Sequence, residues 1–140
     1  GAAAGVLAAL LGAGPRAAVV ANRTVERAAE LAARHEDLGA VDSCSPGEIG
    51  ARGPFDLIIN ATSLGHRGAA PELSPRWLAA GGLCYDLNYG RAAEPLRQSC
   101  ARSGIRYADG LGMLVGQAAL SFEMWTGRLP DAAPILAALR

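Results

Sequence analysis

The sequence predicts an α/β fold, a doubly wound parallel sheet flanked by helices. Three observations carry the prediction. Short apolar runs alternate with helix-patterned segments from one end of the chain to the other. Helical spacers of about ten residues or more imply parallel strands joined by right-handed crossovers. The clearest strand, residues 55–61 (FDLIINA), is a continuous apolar run, as expected where helices cover both faces.

Each element follows in order. Residues 2–11 are apolar and helix-favouring, and Gly12-Ala-Gly-Pro15 stops them. Residues 17–22 (AAVVAN) read as a short buried strand. Thr24 then caps a helix running to about His35, with Val25, Ala28, Ala29, Leu31 and Ala32 on its apolar face. A short strand is expected at 40–43 and a brief helical turn at 46–50. After strand 55–61, residues 75–80 are expected as a short helix ended by Gly81-Gly82, followed by a strand at 83–87 (LCYDL). An amphipathic helix at 92–103 stops at Gly104, and a last short strand occupies 105–108. A long helix at 111–126 and a final one at 130–139, opened by Pro130-Asp131, complete the chain.

Composition narrows the function. The 140 residues suit about one domain, with 51% hydrophobic and 19% charged residues, outside the disordered range. Thirteen basic side chains balance thirteen acidic ones, so nothing in the overall charge favours nucleic acid or an anionic membrane. All thirteen cations are arginine, which excludes lysine chemistry within the chain. Cys44, Cys84 and Cys100 are odd in number and match no metal cluster or redox pair, so they read as free thiols in a reducing, cytoplasmic compartment. No apolar run reaches the roughly 18 residues of a membrane helix, and no signal peptide is visible. The chain opens on Gly1 at a loop–helix junction without an initiator methionine, and reads as a fragment of something longer.

In doubly wound sheets, ligands bind outside the carboxyl ends of the strands. Four segments hold that position, and the topology is expected to bring them to one edge. The first is Asn22-Arg23-Thr24, with Arg27 one turn on. This is where a Rossmann domain reads the ribose 2′ position, with an acid for NAD or an arginine for NADP. Arg23 and Arg27 suit a phosphate, and the alternative is that they are solvated surface charges. Asn60-Ala-Thr-Ser63 can line a dinucleotide crevice or form an ordinary polar turn. Asn88-Tyr89-Gly90 follows the fourth strand. In Asp109-Gly-Leu-Gly-Met-Leu-Val-Gly-Gln117, Met113 and Gln117 share one helix face. Met113 either covers a flat ring or fills the core, and Gln117 is either a ligand contact or a satisfied core amide. At the other end, Gly1-Ala-Ala-Ala-Gly5 would let backbone approach a diphosphate at a helix N-terminus, but small residues in a packed helix explain it as well. His35 and His66 form no triad and Ser63 lies in no nucleophile elbow, so hydrolysis is excluded, and no metal site is expected.

With these residues assembled, the chain resembles the shikimate dehydrogenase family over nearly its whole length. The resemblance rests on ANRTVERAAELA, FDLIINATSLG, CYDLNYG, ADGLGMLVGQAALSFEMWTG and PDAAPILAAL, and it covers the family's second, nucleotide-binding domain. It implies an NADP-dependent enzyme reducing 3-dehydroshikimate to shikimate on the route to chorismate and aromatic amino acids, or a quinate/shikimate dehydrogenase. A non-catalytic NADP-binding module is the reading from another class. By resemblance, Gly1 and Ala2 match the end of the diphosphate loop, and Asn22, Arg23, Thr24 and Arg27 the 2′-phosphate site. Thr62 and Ser63 match crevice residues, while Leu87, Gly110 and Met113 match the nicotinamide side. Tyr89 and Gln117 match substrate contacts.

Two departures stand out. Ala4 occupies a position where the family usually has an arginine. The family's substrate domain and first strand precede the position of Gly1, and its catalytic lysine and aspartate belong to that domain, so no catalytic residue is assigned here. In the common order 3-2-1-4-5-6 the first strand is central. Its absence predicts a break between strands 17–22 and 55–61, and an isolated chain prone to aggregation.

Overall fold

A computed structural model describes residues 1–140. It contains helices α1 (Ala2–Gly12), α2 (Val25–Ala33), α3 (Ile49–Arg52), α4 (Glu94–Arg102), α5 (Leu111–Thr126) and α6 (Ala132–Leu139). The strands are β1 (Ala18–Ala21), β2 (Val41–Cys44), β3 (Phe55–Asn60), β4 (Leu78–Asp86) and β5 (Arg106–Ala108). All five expected strands are present, and the two ladders with a described register, β1–β2 and β4–β5, are parallel. The fold is α/β with a Rossmann-like parallel arrangement.

The strands form two sheets, β1–β2 and β3–β4–β5, and no ladder joins β1 to β3. That is the break expected when the central strand of the order 3-2-1-4-5-6 is not among the residues present.

The chain divides into two compact units. The first comprises Gly1–Phe55 and Arg76–Ala80. Its buried side chains are Leu7 and Leu11 of α1, Ala28 and Ala32 of α2, and Cys44 of β2. The spacing of each helical pair, four residues, puts both members on one face. Trp77 closes over Gly50, where an added Cβ would lie 2.6 Å from the indole Nε1. The second unit comprises Asp56–Pro75 and Gly81–Arg140. Its core is Cys84 of β4, Ala93, Leu96 and Cys100 around α4, Ile105, and Val115 and Ala119 of α5. Two polar residues, Asn60 and Asp86, are buried with them.

Segment 75–80 departs from expectation. Only Pro75–Trp77 turns, as a 3₁₀ segment, and Leu78–Ala80 opens β4, which continues through both glycines. Three residues after a proline are too few to nucleate a helix against an available strand partner. Gly81 takes φ +77° within β4, a left-handed conformation that glycine adopts without steric cost. The helix expected from residue 92 starts as a 3₁₀ turn, Gly90–Ala92, and becomes α-helical at Glu94, with Pro95 in its first turn.

Candidate functional site

In the first unit, β1 ends at Ala21, and the Asn22 N–H donates to the Cys44 carbonyl at 3.3 Å, extending the β1–β2 pairing by one residue. Asn22 Oδ1 then accepts from the Thr24 N–H at 3.0 Å, an Asx turn that starts α2. Thr24 is the N-cap, as expected, but its own hydroxyl makes no capping bond. That hydroxyl is therefore unused by the helix. Asn22, Arg23, Thr24 and Arg27 are all exposed, and neither arginine is in an ion pair. Two unpaired guanidiniums beside a hydroxyl and the first turn of a helix form a donor set suited to a phosphate. Gly1, the N-cap of α1, and Ala2 are exposed in the same unit, and neither end of α1 carries a charged side chain in its terminal turn.

In the second unit, the carboxyl ends of β3, β4 and β5 meet. The Leu87 N–H donates to the Asn60 carbonyl at 3.0 Å, and the Gly110 N–H donates to the Asn88 carbonyl at 2.9 Å. Gly110 sits so close to Leu87 that an added Cβ would collide with the Leu87 carbonyl oxygen and lie 2.8 Å from its carbon. Only glycine fits there. Asp109 Oδ1 accepts from the Leu111 N–H at 3.2 Å, and Gly110 is the N-cap of α5. Thus three of the four polar segments expected at one edge come together within this unit, and the Asn22–Thr24 segment belongs to the other.

A buried network fixes that junction. Asp86, fully buried at the end of β4, accepts four hydrogen bonds. Its Oδ1 accepts from Asn60 Nδ2 (2.9 Å), the Asn88 N–H (3.0 Å) and Asn88 Nδ2 (2.9 Å). Its Oδ2 accepts from the Tyr107 hydroxyl at 3.2 Å. Asn60 Oδ1 in turn accepts from the Thr62 N–H (3.0 Å) and the Thr62 hydroxyl (2.8 Å). Asn88 Nδ2 also donates to the Thr62 carbonyl at 3.1 Å. Every buried side-chain polar atom has a partner, as a stable buried network requires. Burial and the neighbouring Asp86 carboxylate push the Tyr107 hydroxyl well above the usual tyrosine range, so it stays a donor.

Around the junction the expected ligand residues stand clear. Tyr89 is 45% exposed and Met113 38%, while Ser63, Thr62 and Gln117 are exposed and Leu87 is half-buried. Gln117 is therefore not a core amide, and Met113 does not fill the core. A cleft of about 730 Å³ in the same unit is lined by Gly68, Gly90, Arg91, Glu94, Gln98 and Asp109 among others, and by none of these expected ligand residues. Asp86 and Tyr107 are the residues that sequence reasoning passed over. A lone carboxylate in the apolar run LCYDL was the available signal, because a buried acid without a cation needs several donors.

A shikimate dehydrogenase (NADP(+)) of Alkalilimnicola ehrlichii is 45% identical over 141 aligned positions, covering 100% of this chain and 52% of that protein. Along its whole length the chain is similar to members of the shikimate dehydrogenase family. A second member named as shikimate dehydrogenase (NADP(+)), from Aromatoleum aromaticum, is 46% identical over 144 positions, with 100% and 51% coverage. The chain spans about half the length of these curated relatives. Residues 110–140 match the shikimate 5′-dehydrogenase C-terminal domain model. The solved shikimate 5-dehydrogenase of Listeria monocytogenes shares the fold, with a TM-score of 0.79 and 19% identity over 100% of this chain and 53% of that one.

Proposed function

We propose that residues 1–140 are the NADP-binding, Rossmann-like domain, with its C-terminal helices, of an enzyme that reversibly reduces 3-dehydroshikimate to shikimate. The observation that carries this is the 45% identity, over the whole chain, with a shikimate dehydrogenase (NADP(+)). The exposed, unpaired donors after β1 and the three convergent strand ends support it.

NADP, when bound, supplies or accepts the hydride. Arg23 and Arg27, with Asn22 and Thr24, hold its 2′-phosphate, and Gly1 and Ala2 let backbone N–H groups approach the diphosphate. Thr62, Ser63, Leu87, Gly110 and Met113 border the cofactor, and Tyr89 and Gln117 contact the substrate. By resemblance to the family, proton transfer would fall to a lysine–aspartate pair of its substrate domain; this chain itself has no lysine. The three free thiols fit a cytoplasmic enzyme.

The test is an assay of the full-length protein carrying this chain, following nicotinamide absorbance with shikimate or quinate and NADP⁺ or NAD⁺. Turnover of shikimate with NADP⁺ is expected from the full-length protein and none from the 140-residue chain alone. Dehydrogenation by the isolated chain, or no turnover by the full-length protein, overturns the assignment. A preference for quinate would move it to the quinate/shikimate dehydrogenases.

A further inference from the structure

The Thr62 loop after β3 and the Tyr89 loop after β4 are joined by one side chain. Asn88 Nδ2 donates to Asp86 Oδ1 at 2.9 Å and to the Thr62 carbonyl at 3.1 Å. Its backbone N–H donates to the same Asp86 oxygen at 3.0 Å. Asp86 is fully buried; Asn60 donates to the same Oδ1, and the Tyr107 hydroxyl donates to Oδ2. Asn60 closes the circuit by accepting twice from Thr62. The first loop carries Thr62 and Ser63, the second carries Tyr89, and the Asn88 carbonyl also receives the Gly110 N–H. One buried carboxylate and one amide thus set the spacing of three loops whose exposed side chains face solvent.

We propose that Asn88, anchored on the buried Asp86 carboxylate, is a positioning residue that holds the Thr62–Ser63 loop and the Tyr89 loop at the spacing needed to bind cofactor and substrate together. It touches neither ligand and acts through the loops on either side. In kinetic terms this rests on the dehydrogenase assignment above; in structural terms it does not. The loops are short and partly exposed, so without the tie each keeps its own strand but loses its register with the other. Ordering them again on binding then weakens affinity for both ligands.

The experiment compares the full-length protein with its Asn88→Ala and Asn88→Asp variants. Amide hydrogen exchange is the first readout. Residues 60–63 and 88–90 are expected to exchange at least about tenfold faster in Asn88→Ala, with β4 and α5 unchanged. Asn88→Asp keeps the shape but sets a second carboxylate against Asp86, so it should loosen the loops more than alanine does. Mere space-filling would give the opposite order. Kinetics are the second readout. KM for shikimate and for NADP⁺ should both rise about tenfold in Asn88→Ala, as expected for two lost hydrogen bonds, with kcat changed less. Unchanged exchange in both loops overturns the proposal, as does a KM rise confined to one ligand. If the wild-type protein does not oxidise shikimate, the dehydrogenase assignment fails, and exchange alone then decides the tie.

Discussion

Arg23 and Arg27 are assigned to the phosphate on residue type and position in the chain. Their place one and five residues after Asn22 follows from the end of β1, and the structure leaves both guanidiniums exposed and unpaired. A charge-assisted hydrogen bond contributes roughly 1.5–3 kcal/mol, so Arg23→Ala in the full-length protein should reduce the preference for NADP⁺ over NAD⁺ by about tenfold to a hundredfold. Binding titrations with both cofactors check this, and an unchanged ratio removes Arg23 from the phosphate site. Asp86 and Tyr107 were not legible in the same way. Their meaning comes from partners 26 and 21 positions away, which no local pattern contains. Buried thiols add a pH dependence. Burial, with Cys100 beside it, pushes the Cys84 thiol up to about 12 from its usual value near 9. Folding keeps the proton that the unfolded chain releases, so this stability is complete below pH 9 and is lost as pH rises towards 12. The melting midpoint should fall across that window, and Cys84→Ala should flatten the fall even though the cavity lowers the midpoint throughout.

Elements were legible wherever length and periodicity agreed. Helix α5 runs over Leu111–Thr126, as its pattern and the following Gly127 indicate. Helix α6 starts one residue after Asp131, whose carboxylate accepts from the Ala133 N–H at 3.0 Å. The misreading at 75–80 arose because Gly81-Gly82 resembles a helix stop, whereas β4 runs through it to reach the Asp86 junction. Contacts between elements also exceed what periodicity conveys. Gly110 at the start of α5 and Gly65 in the turn Leu64–Arg67 each lie against a backbone carbonyl, of Leu87 and Ala92 respectively. Backbone cannot yield as a side-chain tip does. Gly110→Ala should therefore destabilise the protein by about 1–3 kcal/mol, seen as a lower denaturation midpoint in urea. An unchanged midpoint would mean that the β4–α5 junction is not closed as described.

At the scale of the whole chain, the strands form two sheets, β1–β2 and β3–β4–β5, with the break between strands 17–22 and 55–61 that the sequence predicts. The second unit also presents Met124 at 85% exposure and Trp125 at 81%, with Leu120, Leu129 and Leu139 each above half. Apolar side chains that open to water promote association. The isolated 140-residue chain should thus self-associate at micromolar concentration, and replacing Met124 and Trp125 with serine should reduce the scattering mass. A monodisperse monomer would count against this. No helix is long and apolar enough to cross a membrane, so these side chains do not belong to a helical membrane span. The buried thiols have a further use at this scale. Cys44 lies in one compact unit, and Cys84 and Cys100 lie in the other. A thiol reagent added under mild denaturant becomes a clock with two dials: one modified cysteine marks opening of the β1–β2 unit alone, two mark opening of the β3–β4–β5 unit alone, and three together mark a chain that opens as one.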